Sequence, residues 1–259
     1  MKKNLLALGI AVSLILGGCG RNSNPVMITA HRGDQSAAPE NTLSAFEAAI
    51  ENGADYIELD VTETKDGILV ILHDDSLMRT TGLEKNIWDV TYEETQKLDA
   101  GSWYSGDFAG ERIPTLEEVI KLCKEKIKMN IEIKVTGHES KEFVEKIVAL
   151  IQKEELSNQC IVTSFDYDTV RKVKELDSSL QAGPILSGKE QNLANYQDMD
   201  LFSISGKILT KDMVEEAHKM GKPVHVWTVN DRSKIKKFWR MGVDNIITND
   251  PGLARKIVE

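Results

Sequence analysis

Two apolar stretches of this 259-residue chain carry charged residues at alternating positions. In Tyr56-Ile57-Glu58-Leu59-Asp60-Val61, an extended backbone puts Ile57, Leu59 and Val61 on one face and Glu58 and Asp60 on the other. Asn130-Ile131-Glu132-Ile133-Lys134-Val135 repeats the pattern, with Glu132 and Lys134 sharing a face. Strands of a parallel sheet are usually apolar on both faces. Two carboxylates turned inward repel each other and are costly to desolvate unless a cation or a base neutralises them. A wet edge strand with surface ion pairs would account for either stretch alone. Both together, each flanked by apolar residues, point to three carboxylates converging as a hard oxygen-donor site for Ca²⁺ or Mg²⁺.

Further reactive groups stand at strand ends. Val26 to Ala30 reads as a strand and runs into His31-Arg32-Gly33, which offers a proton-transfer group, an anion fork and a flexible turn. In isolation that is equally the polar end of a strand facing water. His73 closes the apolar run Ile68 to Leu72 and is followed by Asp74. Two histidines at separate strand ends, a cation site and Arg32 together suit cleavage of a phosphodiester. The cation and the arginine hold phosphate oxygens, while one imidazole removes a proton and the other delivers one to the leaving oxygen. His138 and His218, near or on helices, and His225, within a strand, are read as structural.

Positioning these residues takes an alternation of short strands and amphipathic helices. Strand-like runs lie at 26–31, 55–61, 68–73, 129–135, 160–165, 180–185, 200–205, 223–229 and 243–248. Helical patterns cover Glu40–Asn52, Thr115–Lys126, Lys141–Glu154, Asp166–Leu176, Lys211–Met220, Arg232–Met241 and Leu253–Val258, with caps, acidic first turns and terminal glycines in agreement. Strands alternating with helices imply parallel pairing and right-handed crossovers. With 68–73 taken as a hairpin returning off the second strand, eight β/α units remain, which predicts an α/β fold of the TIM-type (β/α)₈ barrel class. No Gly-x-Gly-x-x-Gly follows the first strand, so a dinucleotide-binding domain has no support. Residues 74–112, with Trp88, Trp103 and many Gly, Thr and Asp, break the rhythm and read as a small insertion beside the barrel mouth.

His31-Arg32-Gly33, Pro39-Glu40-Asn41-Thr42, Glu58-Leu59-Asp60, His73-Asp74 and Glu132-Ile133-Lys134 together resemble the glycerophosphodiester phosphodiesterase family. Arg79-Thr80-Thr81, Leu98 to Trp103 and Ile113 to Leu116 resemble the inserted region of that family, and Ser164-Phe165-Asp166, Trp227-Thr228-Val229-Asn230 and Gly242-Val243-Asp244 extend the likeness from about Met27 to Pro251. The resemblance implies a site at the C-terminal ends of the barrel strands. It implies that Glu58, Asp60 and Glu132 bind the divalent cation, that His31 and His73 are the acid/base pair, and that Arg32 and Lys134 hold the phosphate. Phe165 and Trp227 would line the pocket for the glycerol and the leaving alcohol, while Glu40 and Asn41 take supporting or helix-capping places. A neighbouring glycerol hydroxyl would attack phosphorus first, and water would open the resulting cyclic phosphate to give sn-glycerol 3-phosphate and an alcohol. Two departures stand out. Asn249 follows Thr248 where relatives commonly have aspartate, and residues 187–200 match nothing in the family pattern.

The N-terminus reads as a lipoprotein leader. Met1-Lys2-Lys3-Asn4 is a short positive start, and Leu5 to Leu16 is an apolar run too short for an ordinary spanning helix, which takes roughly 20 residues. It ends in Leu16-Gly17-Gly18-Cys19, which resembles a bacterial lipobox, so residues 1–18 read as signal peptide, Cys19 as the lipidated residue, 20–25 as a tether and 26–259 as the barrel. Removing 1–18 takes away Lys2 and Lys3 and no acid, moving the formal charge from −9 to −11. That balance argues against a nucleic-acid partner and against electrostatic docking on anionic lipid. Attachment to the outer face of a membrane would therefore fall to the lipid on Cys19. Cys123 and Cys160 are too few for a disulfide framework and read as buried thiols, a single bridge being the lesser alternative. Two other functions fit parts of this pattern: a lipid-anchored protein that captures a phosphorylated ligand, and a phospholipase D-like lyase that stops at the cyclic phosphate. A binding protein has no use for His31 and His73 beside a complete carboxylate trio, and the inserted region and Trp227-Thr228-Val229-Asn230 favour the hydrolase. For the anchor, radiolabelled palmitate is expected to appear on the protein expressed in a bacterial host, and Cys19→Ala to abolish the label.

Overall fold

The structure is a computed structural model that describes residues 25–188 and 192–259. The expected signal peptide, Cys19 and the tether as far as residue 24 lie outside the described residues. The strands are β1 (Met27–Ala30), β2 (Tyr56–Glu63), β3 (Leu69–Ile71), β4 (Lys128–Ile133), β5 (Cys160–Ser164), β6 (Gln181–Leu186), β7 (Phe202–Ser205), β8 (Val224–Trp227) and β9 (Asn245–Thr248). The helices are α1 (Leu43–Glu51), α2 (Met78–Thr81), α3 (Tyr92–Thr95), α4 (Leu116–Cys123), α5 (Phe143–Lys153), α6 (Tyr167–Leu176), α7 (Lys211–Lys219), α8 (Arg232–Met241) and α9 (Pro251–Val258).

Leaving β3 aside, eight strands pair in parallel in the order β1-β9-β8-β7-β6-β5-β4-β2, and β2 pairs back onto β1 to close the barrel. This is the TIM-type architecture expected from the alternation of elements. β3 runs antiparallel to the far end of β2, with Val61 opposite Ile71 and Glu63 opposite Leu69. It is the expected return hairpin, and it brings the chain back toward the level of Asp60.

Apolar residues of the strands' outer faces meet the helices. Ile57, Leu59, Ile131, Phe46 and Val119 share one buried cluster, and Ile204, Val226, Phe202 and Phe238 share another. Strand-to-strand register puts Glu58 opposite Asn130, Asp60 opposite Glu132, Glu132 opposite Thr163, and His225 opposite both Ser203 and Asn245. All but Glu132 are buried polar groups. Barrel interiors are usually filled by branched apolar side chains; here these polar groups share the interior with Ile161, Ile185 and Ile247, which lie opposite Asn130, Ser203 and Thr29.

Helix ends differ from their expected positions for local reasons. The first helix starts at Leu43 rather than Glu40, because Thr42 accepts from the Ala45 amide as cap and Asn41 stands at φ +57°. Thr115 caps α4 in a reciprocal capping box with Glu118, but the helix stops at Cys123 because Lys124 turns extended and Glu125 is left-handed. Among the described residues, the link from β6 to β7 holds only a single 3₁₀ turn at Leu193–Tyr196. Residues 74–112 fold as short helical turns over a small cluster that includes Leu77, Ile87, Val90 and Ala100.

Gly33, at φ +81°, presses the loop after β1 against α1: a Cβ there would lie 2.6 Å from Ala45 Cβ and 2.7 Å from its carbonyl carbon. Gly53 is also left-handed, at φ +73°, but has open space around it. Gly33→Ala is therefore expected to cost on the order of 3 kcal/mol, from strain and overpacking together, and Gly53→Ala about 1 kcal/mol. Urea unfolding midpoints of the two variants check the difference.

Candidate active site

The pairing of β2 with β4 decides where the acids sit. Because Asp60 lies opposite Glu132, and Glu58 is two residues earlier on the same face, their carboxylates converge. One oxygen from each of Glu58, Asp60 and Glu132 lies within 4.8 Å of the other two. Glu58 and Asp60 are buried, at 4% and 1% exposure. Each spends one oxygen on a neighbour: Glu58 Oε2 accepts the Arg32 amide at 2.8 Å, and Asp60 Oδ2 accepts Asn41 Nδ2 at 2.8 Å. The other oxygens, Glu58 Oε1 and Asp60 Oδ1, are buried without a hydrogen-bond donor. Dry oxygens oriented by their own partners and left free to accept fit a hard divalent cation.

Two cations border the trio. Arg32 stands at φ +56°, which turns its amide toward Glu58, while its side chain donates to Glu40 Oε1 at 2.9 Å and passes 3.5 Å from Asp60. Lys134, one residue beyond β4, donates to Glu132 Oε1 at 2.9 Å and lies 3.6 Å from Asp60 Oδ1. Three carboxylates against two cations leave an excess of negative charge. Burial, then the charges of Asp60 and Glu132, push the Glu58 carboxyl well above the ordinary range. Burial and then Asp60 push Glu132 up to about 7. Asp60 is held low: burial opposes its charge, but Lys134, His73 and Arg32 outweigh it. A bound cation would relieve the whole cluster.

The two imidazoles have different supports. His31 Nδ1 meets Asn249 Oδ1 at 2.8 Å, with the Gln35 amide nitrogen 3.0 Å away. Burial first, and then Arg32, pushes this ring down to about 4, so it is neutral at pH 7. His73 Nδ1 meets a carboxylate instead, Asp74 Oδ1 at 2.6 Å. Asp74 Oδ2 accepts Arg79 Nε at 2.5 Å, and Arg79 grips both oxygens of Glu40 at 2.7 and 3.0 Å. Phe165 and Trp227, at the ends of β5 and β8, meet edge to face with centroids 5.6 Å apart, and the buried Trp227 Nε1 has no acceptor.

The histidines read as structural have structural surroundings. His138 stacks on Trp88 with centroids 4.0 Å apart, His218 meets Asp244 at 2.8 Å, and His225 is buried. Cys123 and Cys160 are buried free thiols, which burial pushes up to about 12.

Arg79, Asp74, Gln35 and Asn249 belong to this constellation although their spacing in the sequence does not show it. Asp74 beside His73 carried a local signal, and Asn249 carried one only as a departure from the family pattern. Asn41 is not the helix cap; it orients Asp60.

A TIM-type barrel whose mouth gathers an acid trio, two imidazoles and two cations defines an enzyme of the phosphodiester-cleaving class. The model of the Glycerophosphoryl diester phosphodiesterase family matches residues 31–253. A glycerophosphodiester phosphodiesterase of Caldanaerobacter subterraneus subsp. tengcongensis is 39% identical over 229 residues, covering 87% of this chain and 94% of the relative. One from Bacillus altitudinis is 34% identical over 243 residues, covering 90% and 98%. An Oleispira antarctica phosphodiesterase, solved in complex with its product sn-glycerol-3-phosphate, superposes with a TM-score of 0.81 at 28% identity, covering 90% and 97% of the two chains. The chain belongs to the glycerophosphoryl diester phosphodiesterase family.

The electrostatics of the trio predict a pH-dependent stability. Glu132 releases its proton near 4.5 when unfolded but holds it to about 7 in the metal-free fold. Its penalty is therefore absent below pH 4.5, grows between 4.5 and 7, and is complete above 7. In chelator, Glu132→Gln should gain melting temperature relative to wild type across that window. With saturating divalent cation, wild type should be the more stable of the two. Thermal unfolding at several pH values, with and without metal, checks both signs.

Proposed function

We propose that this protein hydrolyses glycerophosphodiesters to sn-glycerol 3-phosphate and an alcohol, using a divalent cation, Ca²⁺ or Mg²⁺. One observation carries the reading: Glu58 and Asp60, each with a buried donor-free oxygen, bring carboxylate oxygens within 4.8 Å of one from Glu132, bordered by Arg32 and Lys134. The product bound to the Oleispira antarctica phosphodiesterase supports the same substrate class.

Glu58, Asp60 and Glu132 hold the cation, which when bound polarises the phosphoryl group and offsets negative charge developing on its oxygens. Arg32 and Lys134 hold phosphate oxygens. Phe165 and Trp227 pack against the organic part of the substrate. His31, neutral and tied through Nδ1 to an amide oxygen, is the base. Its Nε2 takes the proton from the glycerol hydroxyl next to the phosphoester, whose oxygen attacks phosphorus. His73, whose Nδ1 is backed by a carboxylate, is the acid: it passes a proton from Nε2 to the leaving alkoxide as the P–O bond breaks. Water then opens the cyclic phosphate with the roles reversed: His73 takes a proton from water and His31 returns one to the glycerol oxygen. The enzyme works outside the cytoplasmic membrane, held by a lipid on Cys19; the lipobox-like Leu16-Gly17-Gly18-Cys19 supports this placement.

The test is release of glycerol 3-phosphate from a panel of glycerophosphodiesters. Chelation should abolish turnover and added Ca²⁺ or Mg²⁺ restore it. His31→Ala and His73→Ala should each lose roughly 10²-fold or more. Full activity in chelator, or in either variant, would overturn the assignment.

A further inference from the structure

We propose that Arg79, supplied by the insertion, is a positioning residue for the general acid: it holds the Asp74 carboxylate against His73 and is itself locked by Glu40. The proposal rests on His73 being the acid in the function described above.

The contacts form one chain from the buried site to the exposed rim. Glu40, with its side chain only 7% exposed, accepts from Arg32 Nη1 and from two nitrogens of Arg79. The third Arg79 nitrogen, Nε, donates to Asp74 Oδ2, and Asp74 Oδ1 meets His73 Nδ1. His73 and Asp74 are each about one-third exposed, at 32% and 31% of their side chains. An exposed ion pair is worth little alone and does not hold two side chains in one geometry. A planar fork bonded to Asp74 on one edge and to a buried carboxylate on the other does. Burial works to raise the Asp74 carboxyl, but hydrogen bonds from Arg79 and His73 hold it down at about 2, so it stays an anion throughout the working range. With that anion fixed, Nδ1 keeps its proton and Nε2 is left to serve the substrate.

Arg79 sits on α2, and its guanidinium lies 5.8 Å from the centre of the Trp103 ring, also in the insertion. The four-residue α2 is itself placed by buried Leu77 and Thr80. Folding of residues 74–112 is thereby joined to the aim of a catalytic proton. A lysine in this place offers a point charge and cannot bridge the two carboxylates in the same plane.

The experiment compares two leaving groups by kcat/KM for alcohol release at saturating metal. Glycerophosphocholine must have its leaving alkoxide protonated; the p-nitrophenyl ester of glycerol phosphate releases a weakly basic phenolate that needs no proton. Arg79→Lys and Arg79→Ala should lose about 10²-fold on the choline ester and less than about threefold on the nitrophenyl ester. His73→Ala should show the same split. Equal losses on both esters in the Arg79 variants, or none, overturn the proposal. Absence of the split in His73→Ala instead overturns the assignment of the acid. Since Arg79→Ala removes packing from the insertion, the isosteric Asp74→Asn provides a second route: it should give the same split with little change in melting temperature. The double variant should lose no more than the larger single loss. Additive losses would mean that Arg79 acts elsewhere and would also overturn the proposal.

Discussion

Buried like charges need compensation, and this barrel places three carboxylates within 4.8 Å of one another. Their convergence is a consequence of register: a shift of one residue between β2 and β4 would send Glu132 to the outer face and leave the trio incomplete. The outer faces of the same strands hold Ile57, Leu59, Val61, Ile131 and Ile133, all fully or almost fully buried. Moving those side chains into the barrel and the acids into the helix layer would lose apolar burial and desolvate charges together. The hydrophobic frame therefore enforces an electrostatically costly centre.

The loop after β1 supplies the compensation and bears the local strain. Arg32, Gly33 and Asn41 all have positive φ within it, at +56°, +81° and +57°. Left-handed backbone is unfavourable for residues with a Cβ and persists where surrounding contacts over-determine it. Here each of the two non-glycine residues aims one donor at one acid: the Arg32 amide at Glu58 and the Asn41 side chain at Asp60. Both donors orient a carboxylate and leave its second oxygen free. Gly33 lets the loop close on α1 without a Cβ in the way.

Periodicity exposes what repeats along the chain and conceals what is joined across it. The alternation of Glu58 and Asp60, and of Glu132 and Lys134, was legible because a strand's period of two separates inward from outward side chains directly. All nine strand-like runs correspond to strands. The seven full-length barrel helices correspond to the seven helical patterns, and their ends shift where cap geometry decides, as at Thr42 and Lys124. The stretch at 187–200 matched nothing in the family pattern and forms no α-helix among its described residues. Arg79 was unreadable as a site residue because its partners are 39 positions away at Glu40 and 5 away at Asp74, with no period along the chain that relates the three. Asn249 reaches His31 across the closure of the barrel, 218 positions apart. Only the pairing of β1 with β9 makes them neighbours.

The two imidazoles of the site differ in what supports them. Both rings stand beside the same acid trio, and Asp60 interacts electrostatically with each. Asn249 offers His31 a neutral amide oxygen, which fixes the ring's orientation and favours its charged form too little to offset burial and Arg32. Asp74 offers His73 a full anion, itself held by Arg79. In the mechanism proposed above, the first ring would accept a proton from the nucleophile and the second would deliver one to the leaving group.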